Sequence, residues 1–252
     1  EANSLRTDKK YTDAIEKFLN IVQIDNIDLR TLIEVRLKLA KLYKDIGEYS
    51  RSAHYYELVE TYYIQHKELI NLNYLYEEMA ELYFKMYKND RAVETIKKVI
   101  YSVDTPQSLL VKACIVLGDI YSEMKNAQDA FAYYKKALES LDENVEEDTL
   151  AELYFKYALA CDDKGDVERA FDFYNKCIAL EEKNLYKALA YSNLASCYYE
   201  NDSYEDARFC FEQAYNIEKE NNNFDGIYYN ALHLAKISEY MGLEKALEFY
   251  IE

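Results

Sequence analysis

With 252 residues, half of them apolar, the chain can bury a sizeable core as one large domain or two ordinary ones; its single Pro and five Gly leave little punctuation for a fold of hairpins. A net charge of −17 argues against nucleic-acid phosphates or an anionic membrane surface as direct partners, because both are recognised by Lys and Arg. No apolar run nears the roughly 20 residues that cross a bilayer, and no basic start followed by an apolar stretch marks a secretion signal.

In chain order the helical pattern begins with a leading helix at about 11–24. Pairs follow at 28–46/49–66, 69–88/90–103, 106–124/127–141, 146–164/167–181, 184–200/204–219 and 224–241/243–252. Two recurring signatures define them. In each second helix, and in the leading one, a small residue precedes a large one by a helical turn: Ala14/Phe18, Ser52/Tyr56, Ala92/Ile96, Ala130/Tyr134, Ala170/Tyr174, Ala207/Phe211 and Ala246/Tyr250. Each first helix carries another small residue, Ala40, Ala80, Gly118, Ala158, Ala195 or Ala235. It follows a large one (Leu39, Met79, Leu117, Tyr157, Leu194, Leu234), and three positions on stands Tyr43, Tyr83, Tyr121, Cys161, Tyr198 or Ser238. The small residues let two helices approach closely, and the large ones fill the space beside them.

Turn residues separate the helices of each pair: Gly47-Glu48, Asn89-Asp90, Lys125-Asn126, Gly165-Asp166, Asn201-Asp202 and Met241-Gly242. Gly is suited to end the first helix, and Asn or Asp to cap the second. Thr105 before Pro106 reads as an N-cap, with Pro106 in the first turn, and Asn144 with Glu147 reads as a capping box.

The best copies, Cys114-x2-Leu117-Gly118-x2-Tyr121…Ala130-x3-Tyr134 and Tyr191-x2-Leu194-Ala195-x2-Tyr198…Ala207-x3-Phe211, resemble the tetratricopeptide repeat (TPR). The likeness runs through essentially the whole chain. The closing Pro is missing, and the period is roughly 37–40 residues rather than about 34. This resembles extended variants, as in kinesin-light-chain-like and bacterial peptide-receptor-like arrays. It implies an all-α, right-handed superhelical solenoid of antiparallel helix-turn-helix repeats. The repeats would be a partial leading one at 1–24, full ones at 28–66, 69–103, 106–141, 146–181 and 184–219, and a last one cut short at 224–252. Ala2 and Leu5 fit the end of a preceding first helix, and no polar capping repeat closes either end. The expectation is therefore a piece of a longer protein whose open ends could associate end to end.

Cys114, Cys161, Cys177, Cys197 and Cys210 contain no CxxC pair and are odd in number, which argues for a reducing, cytoplasmic setting rather than a disulfide framework or zinc site. His54, His66 and His233 have no metal-ligand spacing, and no nucleophile elbow or phosphate-cradling glycine loop is present. No catalytic, cofactor or metal site is expected, and the chain reads as a non-enzyme. Tyr at repeat positions is core material; Tyr74, Tyr229 and Tyr240 lie outside the pattern and are better placed for binding.

In the resembled family the first helix of each pair lines a peptide-binding groove. Carried over by position, that groove contains Lys38, Lys41, Tyr74, Glu78, Glu81, Lys112, Asp119, Lys156, Asn193, Tyr229, His233 and Lys236. Over the four full rows of first-helix positions from which these residues are drawn, the charge is mixed and slightly acidic, six Lys against nine Asp and Glu. The Lys, Arg and Asn clamp with which some members hold a terminal carboxylate is not reproduced, and Asn193 alone matches an Asn that in some members bonds a peptide backbone. The expected function is a scaffold or adaptor holding a peptide or helix of basic or mixed charge. The alternatives are a regulatory arm of a larger signalling protein and a self-assembling structural solenoid.

Overall fold

The computed structural model describes residues 2–143, 145–181 and 185–241, with side chains from Lys10 onward. Twelve α-helices are present among the described residues. They fall into two compact units, Glu1–Asn126 and Ala127–Glu252.

The first unit holds α1 (Ala2–Val22), α2 (Leu29–Asp45), α3 (Tyr49–His66), α4 (Leu69–Lys85), α5 (Asn89–Ile100) and α6 (Gln107–Glu123). The second holds α7 (Ala127–Glu139), α8 (Glu147–Asp162), α9 (Val167–Ile178), α10 (Leu185–Glu200), α11 (Tyr204–Glu220) and α12 (Phe224–Tyr240). Within the units α2/α3, α4/α5, α8/α9 and α10/α11 form the tightest pairs, each a helix-turn-helix repeat. The expected second helix of the last pair, with Ala246 and Tyr250, lies outside the described residues.

The small residues sit where the helices of a pair meet. Ala40, Ala80, Ala158, Ala195 and Ala235 on first helices, and Ser52, Ala92, Ala170 and Ala207 on second ones, are completely buried. A larger side chain at any of them would force the pair apart. Ser52 spends its hydroxyl on the facing backbone, donating to the Ala40 carbonyl at 2.8 Å. In the first unit Ile15, Val35, Leu39 and Tyr43 form a core cluster, with Phe18, Leu19 and Leu42 packed against it.

One backbone turn recurs between the helices of a pair. The N–H groups of Glu48, Lys88, Asn126, Asp166 and Ser203 each donate at 2.9 Å to the carbonyl of Tyr43, Tyr83, Tyr121, Cys161 and Tyr198. The residue before each donor is left-handed: Gly47 (φ 78°), Tyr87 (56°), Lys125 (61°), Gly165 (76°) and Asp202 (59°). This is the bond pattern that satisfies the last carbonyls of a helix. The motif position held by Tyr or Cys is thus also the acceptor that closes its own helix.

Several local expectations need correction. Residues 2–22 form one continuous helix, where the end of a preceding helix at Ala2 and Leu5 had been expected apart from a helix at 11–24. The intervening residues hold no Gly or Pro, so nothing there ends a helix. Thr105 is not an N-cap: Pro106 occupies that position, and the Thr105 hydroxyl donates to the Val99 carbonyl at 2.7 Å. Among the second-helix starts, Asp166 caps through its side chain, accepting from the Arg169 N–H, whereas Glu48, Lys88 and Ser203 make no such bond. Asn89 lies inside α5, and Asp202 takes the left-handed position instead. There the recurring backbone bond ends the first helix, and the second begins without a side-chain cap. Asn144 lies outside the described residues; Glu147 accepts from the Glu181 backbone N–H, tying α8 to the segment after α9.

No helix among the described residues is long and apolar enough to cross a membrane. Cys114, Cys161, Cys177 and Cys210 are buried, and Cys197 is partly so.

Candidate functional site

Each unit contains a cleft bounded by two successive first helices and the end of the second helix between them. In the first unit it measures about 340 Å³ and opens between α2 and α4 at the end of α3; Leu37, Tyr63, Asn71, Tyr74 and Leu75 line it. In the second it measures about 330 Å³ and lies between α10 and α12 at the end of α11, with Ser192, Glu218, Gly226, Tyr229 and Asn230 in its wall. These residues correspond one to one. Leu37 matches Ser192, Tyr63 matches Glu218, Asn71 matches Gly226, Tyr74 matches Tyr229 and Leu75 matches Asn230, with the same offset along the chain each time. One repeat geometry therefore makes both clefts, and the side chains differentiate them.

Tyr74 is 47 % exposed and Tyr229 44 %, so each cleft has a half-exposed aromatic ring in its wall. An aromatic surface of this kind can cover the apolar part of a partner while its hydroxyl stays wet.

The first-unit cleft is bordered by an ionic network across α2 and α4. Lys41 meets Glu78 at 2.8 Å, Lys44 meets the same carboxylate at 2.5 Å and Glu81 at 3.3 Å. The Tyr56 hydroxyl, from α3, donates to Glu78 at 3.2 Å. Burial opposes the charge on Glu78, but the two lysines outweigh it and hold its carboxyl below the usual range. Burial likewise opposes the charge on Lys44, and Glu78 and Glu81 overcome it. Glu77 is left on the losing side. Burial first, then Glu81 and Glu78, push its carboxyl up to about 7, with Lys44 and Lys112 pulling the other way.

In the second-unit cleft Asn193 donates to the Leu189 carbonyl at 2.8 Å. The Ser192 hydroxyl donates to Asn230 at 2.8 Å, and Asn230 donates on to the Gly226 carbonyl at 2.8 Å, a buried link between α10 and α12. Tyr229 leans on His233 with ring centres 4.5 Å apart, and His233 stacks on Phe211 at 4.9 Å. Burial, aided by Lys236, pulls the His233 pKa below its ordinary value.

Of the residues expected to line a groove, Lys41, Tyr74, Glu78 and Glu81 come together in the first unit, and Asn193, Tyr229 and His233 in the second. Lys38 turns toward α1, its ammonium 5.6 Å from the centre of the Phe18 ring. Lys156 pairs with Glu152 one turn away at 2.6 Å. Lys112 and Asp119 are half-buried on α6, and Lys236 is exposed on α12. Sequence reasoning missed Lys44, Glu77 and Glu218. Glu77 stands in the row occupied by Leu37, Ile115 and Phe155 in other repeats, and Glu218 where an earlier repeat has Tyr63. Neither row is uniformly apolar, since Ser192 shares the row of Glu77 and Glu181 that of Glu218, so the sequence carried no clear signal for them.

Among the described residues no group of His, Cys, Asp and Glu is gathered as a metal ion would need.

Models of the tetratricopeptide repeat match residues 111–183 and 188–221. An uncharacterized protein of Methanocaldococcus jannaschii is 37 % identical over 79 residues, 31 % of this chain and 85 % of that protein. Among solved structures, the apo form of the quorum sensor NprR from B. thuringiensis superposes with a TM-score of 0.74 at 16 % identity, over 96 % of this chain and 70 % of that one. The TPR-like repeats of a kinesin light chain from Podosopora anserina superpose with a TM-score of 0.58 at 17 % identity, over 78 % of this chain and 100 % of that one.

Proposed function

This chain belongs to the tetratricopeptide repeat family, and from that premise we propose that it is a scaffold or adaptor whose inter-repeat clefts hold an extended peptide or a helix of a partner protein. Proteins of this family typically mediate protein–protein interactions, and their repeats are typically non-catalytic. The observation that carries the reading is the recurrence of one cleft at equivalent positions in the two units, each with a half-exposed tyrosine, Tyr74 or Tyr229. Shape and aromatic cover supply affinity there. Around the first cleft Lys41, Glu78 and Glu81 supply charge selection, with Lys38, Lys112 and Asp119 as outlying contributors. In the second unit Asn193 offers an amide beside Tyr229 and His233, with Lys156 and Lys236 flanking. The net charge of −17 favours basic or mixed-charge partners.

The test is selection of binders from a displayed random-peptide library, then anisotropy titration of the recovered peptides. Tyr74→Ala or Tyr229→Ala is expected to weaken binding about tenfold, the ~1.4 kcal/mol loss of a modest aromatic anchor. Unchanged affinity in both variants removes the cleft assignment.

A second reading, a sensory arm of a larger signalling protein, is favoured by the likeness to the quorum sensor. It expects a peptide to change the activity of a fused output domain in the intact gene product. A product without such a domain excludes it.

A further inference from the structure

The second-unit cleft differs from its first-unit counterpart by two exchanges that belong together. Where the earlier repeat has Tyr63 and Asn71, this one has Glu218 and Gly226. Glu218 is only 2 % exposed, and its carboxylate occupies the space a side chain at position 226 would need: a Cβ on Gly226 would lie 2.5 Å from the Glu218 Cδ. Gly226 sits in the first turn of α12 without a left-handed backbone, so the turn itself does not call for glycine. Its missing side chain makes room for a buried acid.

That acid is incompletely satisfied. Asn223 bonds one side of the carboxyl, while Oε2 is sealed from water and has no partner. A buried, unpaired carboxylate oxygen is costly, and such groups persist where a ligand can complete them. The remaining chemistry of the cleft is biased one way. Its Ser and Asn side chains already donate within the protein, Ser192 to the Ala188 carbonyl and Asn230, Asn193 to Leu189, and Asn230 to Gly226. The Asn193 carboxamide oxygen remains as an acceptor, and exposed Asp225 adds a second carboxylate. Tyr229 offers a ring face. Acceptors, negative charge and an aromatic face together select a cation that carries N–H donors.

We propose that the cleft between α10 and α12 is a subsite for the basic side chain of a bound peptide, with Glu218 as its counter-charge and Tyr229 as its platform. The inference rests on the peptide-binding reading and names what one position of the peptide must be. The first-unit cleft has Tyr63 in place of Glu218, and of the carboxylates in its wall, Glu77 and Glu78, the latter is already held by Lys41 and Lys44.

The experiment is a 1H–15N NMR titration of the full chain with N-butylguanidinium, butylammonium and the neutral isostere N-butylurea. One or both cations should shift the amides of Asn193, Gly226 and Asn230 saturably, and the urea should not; the stronger cation tells arginine from lysine. Glu218→Gln keeps the shape and removes the charge, and should weaken the cation at least tenfold. Gly226→Ala keeps the charge but displaces the carboxyl, and should do the same. Equal shifts in wild type and Glu218→Gln, or no shift with either cation, overturns the subsite. A peptide library panned on wild type should enrich a basic residue at one fixed position, and that preference should vanish in Glu218→Gln. Peptides that bind with no basic preference overturn the subsite and leave the peptide-binding reading standing. A library that yields nothing counts against that reading, and the cation titration then decides the subsite alone.

Discussion

Tyr56 and Tyr174 occupy the same position of the repeat, and removing the same hydroxyl from each is expected to move stability in opposite directions. Both rings are fully buried. Tyr56 donates to Glu78 at 3.2 Å, whereas the Tyr174 hydroxyl is sealed from water without a hydrogen-bond partner. Burial, reinforced by Asp162, holds the Tyr174 phenol well above its usual range, so it stays a neutral, unpaired donor. Leaving such a group unsatisfied costs about 1–3 kcal/mol, while a hydrogen bond to a charged group contributes about 1.5–3 kcal/mol. Phe211 fills the equivalent position in the next repeat, so a ring without a hydroxyl fits this site. Tyr174→Phe should therefore stabilise by about 1 kcal/mol, and Tyr56→Phe destabilise by about 1.5 kcal/mol. Urea unfolding followed by far-UV circular dichroism reads both as midpoint shifts of opposite sign. Equal destabilisation by the two variants would refute the hydrogen-bond reasoning.

Three further outcomes follow from the turns, the ionic network and the helix contacts. Tyr87 and Lys125 pay for a left-handed backbone without being glycine, so Tyr87→Gly and Lys125→Gly should each raise the unfolding free energy by roughly 1 kcal/mol, measured by the same urea titration. The Glu77 carboxyl is raised from 4.5 to about 7, so its contribution to stability is complete below pH 4.5 and is lost as pH rises through 7. That loss is roughly 3 kcal/mol at most; Glu77→Gln should flatten the stability profile over this window and be the more stable protein at pH 8, and an unchanged profile removes the assignment. Ala195→Leu should destabilise by about 1–3 kcal/mol by forcing α10 away from α11, whereas the same change at exposed Ala132 should be close to neutral.

Much of this fold is legible in the sequence because close helix contacts demand small residues at fixed positions. The helix at Tyr49–His66 matches its expected range, and the small anchors with described side chains are buried apart from Ala14, which is partly so. Helix ends were less legible: α4 stops at Lys85 rather than 88 because Tyr87 turns left-handed, and tyrosine carries no turn signal. Tyr74, Tyr229 and Asn193 were recoverable from their rows on the first helices. Lys44, Glu77 and Glu218 were not, because their roles depend on neighbours from other helices and on how far each is shut from water. Gly226 shows the same limit. In sequence it is a helix-weakening residue, and only the packed structure shows that its missing side chain accommodates Glu218.

The central claim, that partners are held in the two equivalent clefts, is tested most directly by hydrogen–deuterium exchange with and without a peptide recovered from the library. The account predicts slowed exchange in the first turns of α4 or α12 and along the facing stretch of α2 or α10, together with loss of that protection in Tyr74→Ala or Tyr229→Ala. Protection confined to the second helices α3, α5, α9 and α11, with these cleft segments unchanged, would contradict it.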